Sequence, residues 1–439
     1  MSSPVSARAL LPLGVFLSLF LGTGIWFTVQ GHADAFYQLR APVAILPAIA
    51  LALWLGRRDK PLDTFLAGMG NGDVMLMCLI FLLAGAFATV SKAIGGVDAV
   101  VWLTLNAIPA WLALPGLFLV AGFVALAMGT SMGTIAAVAP IALGVAEAAG
   151  IAPALALGAV LSGATFGDNL SVISDTAIAA ARTQGCTVRE KFRENVKIAL
   201  PAALLTLVVL GVVGDASPVE AAEPTSVWLV LPYVLVLALA VTGLDVLVVL
   251  TIGLVVAGLF GLWFGPADYA LPNFADDIYA GFEGVVEITL LALFIGGLGA
   301  LMKASGGLDW LARQITRIAR GNTGRRTGEW CIAALASLTD VFTANNTVAI
   351  LISGGVARDI AERHDVPPAR AASVLDIFVC IVQSLLPYGA QILLAASLAS
   401  LSPLALMGKV HYCWLLAGVT VLFMVWPSRR GRAAAVGGA

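Results

Sequence analysis

The feature that most limits the possible folds of this chain is a series of long apolar segments along its whole length. A helix needs about 20 apolar residues to cross the hydrocarbon core of a bilayer. Ten segments meet this requirement, approximately 9–30, 41–56, 73–91, 154–181, 196–213, 226–242, 245–263, 284–302, 371–400 and 409–426. With 60% hydrophobic and 11% charged residues, a protein of this length would expose too much apolar surface to water. The sequence therefore predicts an all-α polytopic membrane protein.

Two further apolar stretches, 115–148 and 328–362, are each interrupted midway by polar residues. Non-helical backbone at membrane depth must be buried in protein or line a cavity. We interpret each stretch as a re-entrant hairpin whose polar tip lies inside the membrane. Polar clusters also interrupt two of the spans, at 154–181 and 371–400. The prediction is therefore about ten spanning helices, two of them broken, plus two re-entrant hairpins.

A weak internal repeat supports this arrangement. The element KAIGGVD at 92–98 recurs 211 residues later as KASGGLD at 303–309, and GTIA at 133–136 aligns with NTVA at 346–349. The order and spacing of such matches persist over about 130 residues. Repeats of opposite orientation with discontinuous helices are typical of secondary transporters. We predict two inverted repeats, joined and followed by shorter segments: repeat 1 at 1–213, an external linker at 214–225, repeat 2 at 226–427 and a cytoplasmic tail at 428–439.

The distribution of basic residues predicts the orientation, since cytoplasmic loops carry an excess of lysine and arginine. With both termini in the cytoplasm, 21 of the 24 basic residues, including Lys191 and Arg370, fall on the inner side. Arg40, Lys92 and Lys409 fall outside. Residues 309–320 are predicted to form a basic amphipathic helix on the inner surface. The predicted location is the cell (inner) membrane.

Two polar clusters in repeat 1 are candidate sites, because polar groups at membrane depth are costly and usually functional. The first is the predicted hairpin tip, with Thr130, Ser131 and Thr134; a glycine-rich helix contact is the alternative. The second lies at 163–176, where Gly163 and Gly167 favour a helix break; a cytoplasmic loop is the alternative. Its candidate ligands are Asp168, Asn169, Ser171, Ser174, Asp175 and Thr176.

Two clusters in repeat 2 occupy matching places. The predicted tip of the second hairpin contains Asp340, Thr343, Asn345, Asn346 and Thr347; an ordinary turn is the alternative. The second broken span contains Asp376, Gln383, Tyr388 and Gln391, and Pro387 and Gly389 can interrupt its helix. For Asp376 the alternative is an ion pair with Arg370.

The predicted charges at membrane depth are all acidic, and no basic partner is expected beside them. Carboxylate, hydroxyl and amide oxygens suit a hard cation such as sodium. The predicted sodium ligands are Asp168, Asp175, Thr130 and Asn346. A buried carboxylate can be neutralised by a proton or by a bound cation. Competition between the two, combined with alternating access, predicts sodium/proton exchange.

A sodium- or proton-coupled carrier of a small organic solute, an amino acid or a carboxylate, is the second hypothesis. In it the first repeat holds sodium, and the amide-rich second repeat contacts the solute through Asn345, Asn346, Gln383, Tyr388 and Gln391.

Other function classes find little support in the sequence. A net charge of -2 gives no indication of a nucleic-acid partner. The five cysteines are scattered and form no CxxC pair, so neither a disulfide framework nor a metal centre is predicted. No Ser/His/Asp set or phosphate-binding loop is evident. The chain is predicted not to be an enzyme and to need no cofactor other than sodium as the transported or coupling ion.

The segment GATFGDNLSVISDT at 163–176 and the tip GTSMGT at 129–134 resemble the NhaC-type sodium/proton antiporter family. That family has roughly G-A-x-F-G-D-x-x-S-P-x-S-D-T and G-T-S-W-G-T, so Val172 replaces a proline and Met132 a tryptophan. The resemblance implies the ion-transporter superfamily fold, in which scaffold helices form a homodimer and a transport domain holds the hairpins. It also implies that these residues bind ion or substrate: Thr130, Ser131, Thr134, Asp168, Ser171, Ser174, Asp175 and Thr176. Relatives include exchangers of organic acids and importers of amino acids.

Overall fold

A computed structural model describes residues 6–31, 35–56, 60–107, 109–214, 226–321 and 324–425. Within these ranges the chain is helical and contains no β-strand, which confirms the predicted all-α class. The acidic residues of the predicted linker, Asp215, Glu220 and Glu223, lie outside the described residues. So do the predicted tail at 428–439 and two of the basic residues counted on the inner side, Arg57 and Arg58.

Eleven α-helices precede the predicted linker in the part of the chain that the structure describes. They are α1 Leu11–Val29, α2 Ala41–Ala44, α3 Leu46–Leu55, α4 Pro61–Met69, α5 Gly72–Ala93, α6 Gly96–Ala107, α7 Ala113–Met128, α8 Ser131–Ala148, α9 Pro153–Leu170, α10 Asp175–Gln184 and α11 Val188–Val213. Local signals set several of these ends. Pro153 occupies the first turn of α9, where its missing N–H costs nothing. Thr187 and Glu190 form a capping box that starts α11.

Ten α-helices follow the predicted linker in the described residues. They are α12 Leu231–Val241, α13 Val246–Phe264, α14 Leu271–Ala304, α15 Gly307–Arg320, α16 Arg325–Thr343, α17 Asn346–Arg363, α18 Pro368–Gln383, α19 Ala390–Leu398, α20 Pro403–Met407 and α21 His411–Val425. The helix predicted at 309–320 is α15, which buries Leu308, Leu311 and Ile315 along one side. From α5 to α11 and from α14 to α21, the order of helix, helical hairpin and broken helix recurs.

Several predicted boundaries are wrong. The segment predicted to begin at residue 196 is α11, which begins at Val188 because the capping box extends it by two turns. The segment predicted at 284–302 is the 34-residue helix α14. The predicted span 41–56 is divided between α2 and α3 at Ile45.

Seven helices in the described ranges are long and apolar enough to cross a membrane, and four shorter apolar helices accompany them. The predicted total of ten spans stays a prediction.

Two groups of helices position the polar clusters. Helices α4, α5, α13 and α14 pack together, with α5 running along α14. The second group consists of the hairpin α7–α8 with its broken helix α9–α10, and the hairpin α16–α17 with its broken helix α18–α19. Each broken helix also contacts the other hairpin. Helix α10 packs against α17 and α18, and α19 packs against α8. The second half of each broken helix therefore completes the other hairpin.

Candidate functional site

In each predicted hairpin two residues separate the helices, and the second of the two is polar. In the first, Gly129 ends α7 with a left-handed φ of 68°, and Thr130 is extended before α8. In the second, Ala344 ends α16 with a left-handed φ of 47°, and Asn345 is extended before α17. A left-handed alanine is costly and persists only where the surrounding structure holds it. Its amide donates to the Asp340 carbonyl at 2.7 Å, which closes the turn.

The first broken helix is interrupted at residues 171–174, between α9 and α10. The Ser171 hydroxyl donates to the Leu126 carbonyl at 3.2 Å, and so ties the break to hairpin one. The second is interrupted at residues 384–389, between α18 and α19. There the Tyr388 hydroxyl donates to the Val341 carbonyl at 2.7 Å, next to hairpin two. Both breaks lie within the predicted clusters.

The expectation that Gly163 and Gly167 break the helix is wrong, since α9 continues to Leu170. These glycines instead allow α9 to approach α7. A Cβ atom at Gly163 would lie 2.2 Å from the Phe118 carbonyl oxygen, and one at Gly167 would lie 2.2 Å from that of Gly122. Because both contacts are to backbone atoms, no side-chain movement could relieve them.

Asp168 is buried, with 5% of its surface exposed, at the end of α9. Its carboxylate accepts a 2.5 Å hydrogen bond from the Ser174 hydroxyl. That hydroxyl lies 2.7 Å from the Thr176 hydroxyl, and Ser131 of hairpin one lies near the same carboxylate. No described lysine, arginine or histidine nitrogen lies within 4.0 Å of Asp168. The carboxylate is surrounded by hydroxyl oxygens.

A chain of side-chain contacts joins the two hairpin tips. The Gln391 amide donates to the Ser131 hydroxyl at 3.3 Å. The Gln383 amide donates to the Gln391 side-chain oxygen at 2.9 Å and to the Ala344 carbonyl at 3.2 Å. Both glutamines are buried. The second broken helix therefore connects tip one to tip two.

Asp376 corrects the prediction that the buried acids have no basic partner. Its Oδ2 atom lies 2.7 Å from Lys191 Nζ, and both side chains are at most 1% exposed. Asn169 and Asn195 donate to the same oxygen at 2.8 and 3.1 Å. Lys191 also donates to the Asn169 carbonyl at 3.1 Å. Lys191 therefore lies on the buried face of α11 and not on an exposed surface, while its side of the membrane stays a prediction.

Arg370 does not pair with Asp376, so that alternative is wrong. Its guanidinium forms a two-pronged contact with Glu329 at 3.1 and 3.0 Å. Both residues are buried, and Arg325 also contacts Glu329. This ion pair joins α18 to α16 and neutralises a buried acid that the sequence analysis did not single out.

The other predicted acids have different surroundings. Asp340 is fully buried, and neither of its carboxylate oxygens accepts a hydrogen bond from a described residue. A carboxylate buried in this way must be protonated or bind a cation to be stable. Asp175 begins α10 and is exposed. Asp168 and Asp175 are both predicted sodium ligands, but Asp168 is buried and Asp175 is exposed.

Most of the remaining predicted residues make local contacts. Thr134 donates to the Thr130 carbonyl, Thr343 donates to the Thr339 and Asn345 carbonyls, and the side-chain oxygen of Asn345 accepts from the Val348 amide. The side-chain oxygen of Asn346 accepts from the Thr347 amide. Thr165, which was not predicted, lies 2.7 Å from Ser384 and links the two broken helices.

Lys191 and Asn195 are the main residues that sequence reasoning missed. A usable signal existed, because Lys191, Asn195, Ile198 and Ala202 recur at helical spacing and all are buried on α11. Placing the start of this helix at residue 196 removed its first two turns from that pattern.

The donor set around Asp168 fits sodium as a transported substrate. It offers a carboxylate and the hydroxyl oxygens of Ser131, Ser174 and Thr176, which are hard ligands. No cluster of three or more His, Cys, Asp or Glu side chains with metal-binding geometry occurs in the described part of the chain.

Comparison with known proteins decides the relationship. Residues 5–214 match the Na+/H+ antiporter family, and this range contains hairpin one, the first break and Asp168. The chain is similar to the NhaC-type sodium/proton antiporters. The predicted resemblance is confirmed, and the apolar helices together with this similarity support a multi-pass membrane protein.

Three curated relatives extend the similarity over most of this chain. The Na(+)/H(+) antiporter NhaC of Bacillus subtilis (strain 168) is 25% identical, covering 82% of this chain and 85% of the relative. The malate-2H(+)/Na(+)-lactate antiporter of the same organism is 26% identical, covering 82% and 81%. The arginine/ornithine antiporter ArcD of Halobacterium salinarum is 24% identical, covering 96% and 92%.

Proposed function

We propose that this protein exchanges sodium for protons by alternating access across the cell (inner) membrane, with both termini in the cytoplasm. Asp168 is the carboxylate that binds sodium or a proton in turn. The observation that carries the proposal is the difference between two neighbouring buried acids. Lys191 neutralises Asp376 at 2.7 Å, whereas Asp168 has hydroxyl partners and, among the described residues, no cationic one within 4.0 Å.

Charge balance gives the physical reason. Asp168, Asp376 and Lys191 form a buried group with two carboxylates and one ammonium, which leaves one negative charge to be balanced. An isolated charge is unstable in a low-dielectric interior, so the group binds one proton or one monovalent cation. Since both compete for the same carboxylate, each must leave before the other binds. That competition produces exchange when access alternates between the two sides.

The fold supports a moving unit that carries this group. Each hairpin packs against the second half of the other broken helix, and Gln383 and Gln391 link the tips. We include in the proposal the two inverted repeats at 1–213 and 226–427, with this unit moving against α5 and α14. A homodimer through the scaffold helices belongs to the same proposal and rests on the family resemblance.

Asp168→Asn should abolish exchange while keeping the fold, because asparagine has nearly the same shape and carries no charge. In everted membrane vesicles, sodium should dissipate a preformed pH gradient with the unsubstituted protein. The response should fall at least tenfold with Asp168→Asn. Asp175→Asn, tested in parallel, measures whether the exposed acid takes part.

Glu362→Gln is the matched control, since Glu362 is exposed and pairs with Arg358 on the surface. It should exchange as the unsubstituted protein does. Normal exchange by correctly folded Asp168→Asn protein would contradict the assigned role.

A second candidate function is sodium- or proton-coupled exchange of a small organic solute. The name of the Bacillus subtilis relative describes malate and lactate as exchanged solutes, and that of the Halobacterium salinarum relative describes arginine and ornithine. In this chain Asn345 lines a cavity beside the tip of hairpin two. That cavity supplies the specific observation in favour of an organic solute.

A further inference from the structure

Two cavities flank the α5–α14 pair, and their walls follow the internal repeat. The first, of about 420 Å³, is lined on α5 by Gly85, Ala88, Thr89 and Lys92. The second, of about 380 Å³, is lined on α14 by Gly296, Gly299, Ala300 and Lys303. The 211-residue spacing of the repeat relates each of the first four residues to its counterpart. Val285 and Val74, which have the same spacing, line the first and the second cavity respectively.

The cavities differ in what they reach. The Lys303 cavity extends to Thr343 and Asn345 at the tip of hairpin two. A small cavity of about 30 Å³ shares Thr343 and Asn345 with it and continues to Tyr388. The Lys92 cavity borders the second half of α8, at Pro140 and Glu147, and includes neither Thr130 nor Ser131. In this structure, therefore, the Lys303 cavity connects to a hairpin tip and its counterpart does not.

Lys303 favours an anionic solute in its cavity, and Lys92 occupies the matching place in the other cavity. Neither Lys92 nor Lys303 forms an ion pair within 4.0 Å with a described residue. An ammonium group at the mouth of a pathway lowers the local concentration of cations and raises that of anions. Lysine is common on the cytoplasmic side of membrane proteins, and that tendency alone would explain Lys303. It does not explain Lys92, which is predicted to lie on the opposite side. The repeat places a lysine in both cavities, but Glu147 also lines the Lys92 cavity, whereas no described acidic residue lines the Lys303 cavity.

The hydrogen-bonding groups in the Lys303 cavity also favour an anionic solute. Asn71 and Asn345 both line it, and both cap helices through their side-chain oxygens, which accept from the Asp73 and Val348 amides. This arrangement leaves their NH2 groups as donors. Donors and an ammonium group suit carboxylate oxygens, whereas sodium needs oxygen ligands.

We propose that the Lys303 cavity binds a small solute through its carboxylate, held by the ammonium group of Lys303 and by the amide donors of Asn71 and Asn345. This inference names the substrate class of the second candidate function and rests on it. The Lys92 cavity is the equivalent route in the other transport state. The volume of about 380 Å³ is ample for a lactate- or malate-sized molecule.

Isothermal titration of the purified full-length protein tests the proposal, with L-lactate, L-malate and L-arginine as probes and glycerol and choline as controls that lack a carboxylate. At least one carboxylate should bind, and neither control should. Lys303→Gln should weaken that binding about tenfold or more, because it removes a charge-assisted contact. Lys303→Arg should retain most of it.

Lys197→Gln is the control for loss of a lysine, since Lys197 is exposed and pairs with Glu194 on α11. Unchanged carboxylate affinity in folded Lys303→Gln protein, or the absence of binding by all three carboxylates, would overturn the proposal. Sodium-dependent proton flux is measured on the same variants. If flux persists without carboxylate binding, this inference fails while the exchange at Asp168 stands.

Discussion

Lys191→Met is expected to destabilise the folded protein by about 3–5 kcal/mol, the usual effect of removing one partner from a buried ion pair. Methionine fills a similar volume, so the loss comes mainly from charge. Asp376 is fully buried, and without the ammonium group 2.7 Å away it keeps two amide donors and no counter-charge. Chemical or thermal unfolding of the purified protein in detergent measures the change.

Lys197→Met is the matched control on the same helix. Lys197 has 57% of its side chain exposed, and its ion pair with Glu194 is a surface pair, for which at most about 1 kcal/mol is expected. Adding Asp376→Asn to Lys191→Met should recover part of the lost stability, because it removes the unpaired charge. Equal stability of the two lysine variants, or no recovery in the double variant, would show that this ion pair does not stabilise the fold.

Gly167→Ala is expected to cost about 1–3 kcal/mol or more, although alanine is the better helix former. The added Cβ would lie 2.2 Å from the Gly122 carbonyl oxygen and 2.6 Å from Ala125 Cβ. To admit it, α9 and α7 must separate, which displaces Asp168 at the next position. Both unfolding stability and sodium-dependent proton flux should therefore fall.

Gly211→Ala provides the comparison, since a Cβ there would meet nothing within 4 Å. That variant should be as stable as the unsubstituted protein, or more stable by up to about 1 kcal/mol. If Gly167→Ala behaved in the same way, the close packing of α9 on α7 would not constrain the site.

Sequence alone predicted the helical class, the two hairpins and the two helix breaks, because polar side chains interrupt apolar runs in a way that a lipid environment tolerates only for a reason. It misplaced the cause of the first break. The local sequence does not show whether Gly163 and Gly167 loosen the helix or make room for a neighbouring helix. The backbone of α7, which lies 45 residues earlier at both contacts, makes the second reading correct. The break follows at residues 171–174.

The charge pairing could not be derived from local sequence either. Lys191 and Asp376 are separated by 185 residues, and Arg370 was the nearer candidate partner along the chain. Only the packing of α11 against α9 and α18 brings Lys191 to Asp376. Counting Lys191 with its basic neighbours Arg189 and Arg193 treated the whole segment as surface, whereas one face of that helix is buried.

Helix α10 packs on hairpin two and α19 packs on hairpin one. This crossed packing limits which substitutions the sequence can accumulate during evolution. Each hairpin is completed by a helix from the other half of the chain, so the site proposed at Asp168 depends on both halves. A substitution that shifts one half must be tolerated by both, so the halves are expected to diverge in side chains while keeping their shared geometry. Under the proposed function, a single half expressed alone could carry an ion only as two copies interlocked in the same way.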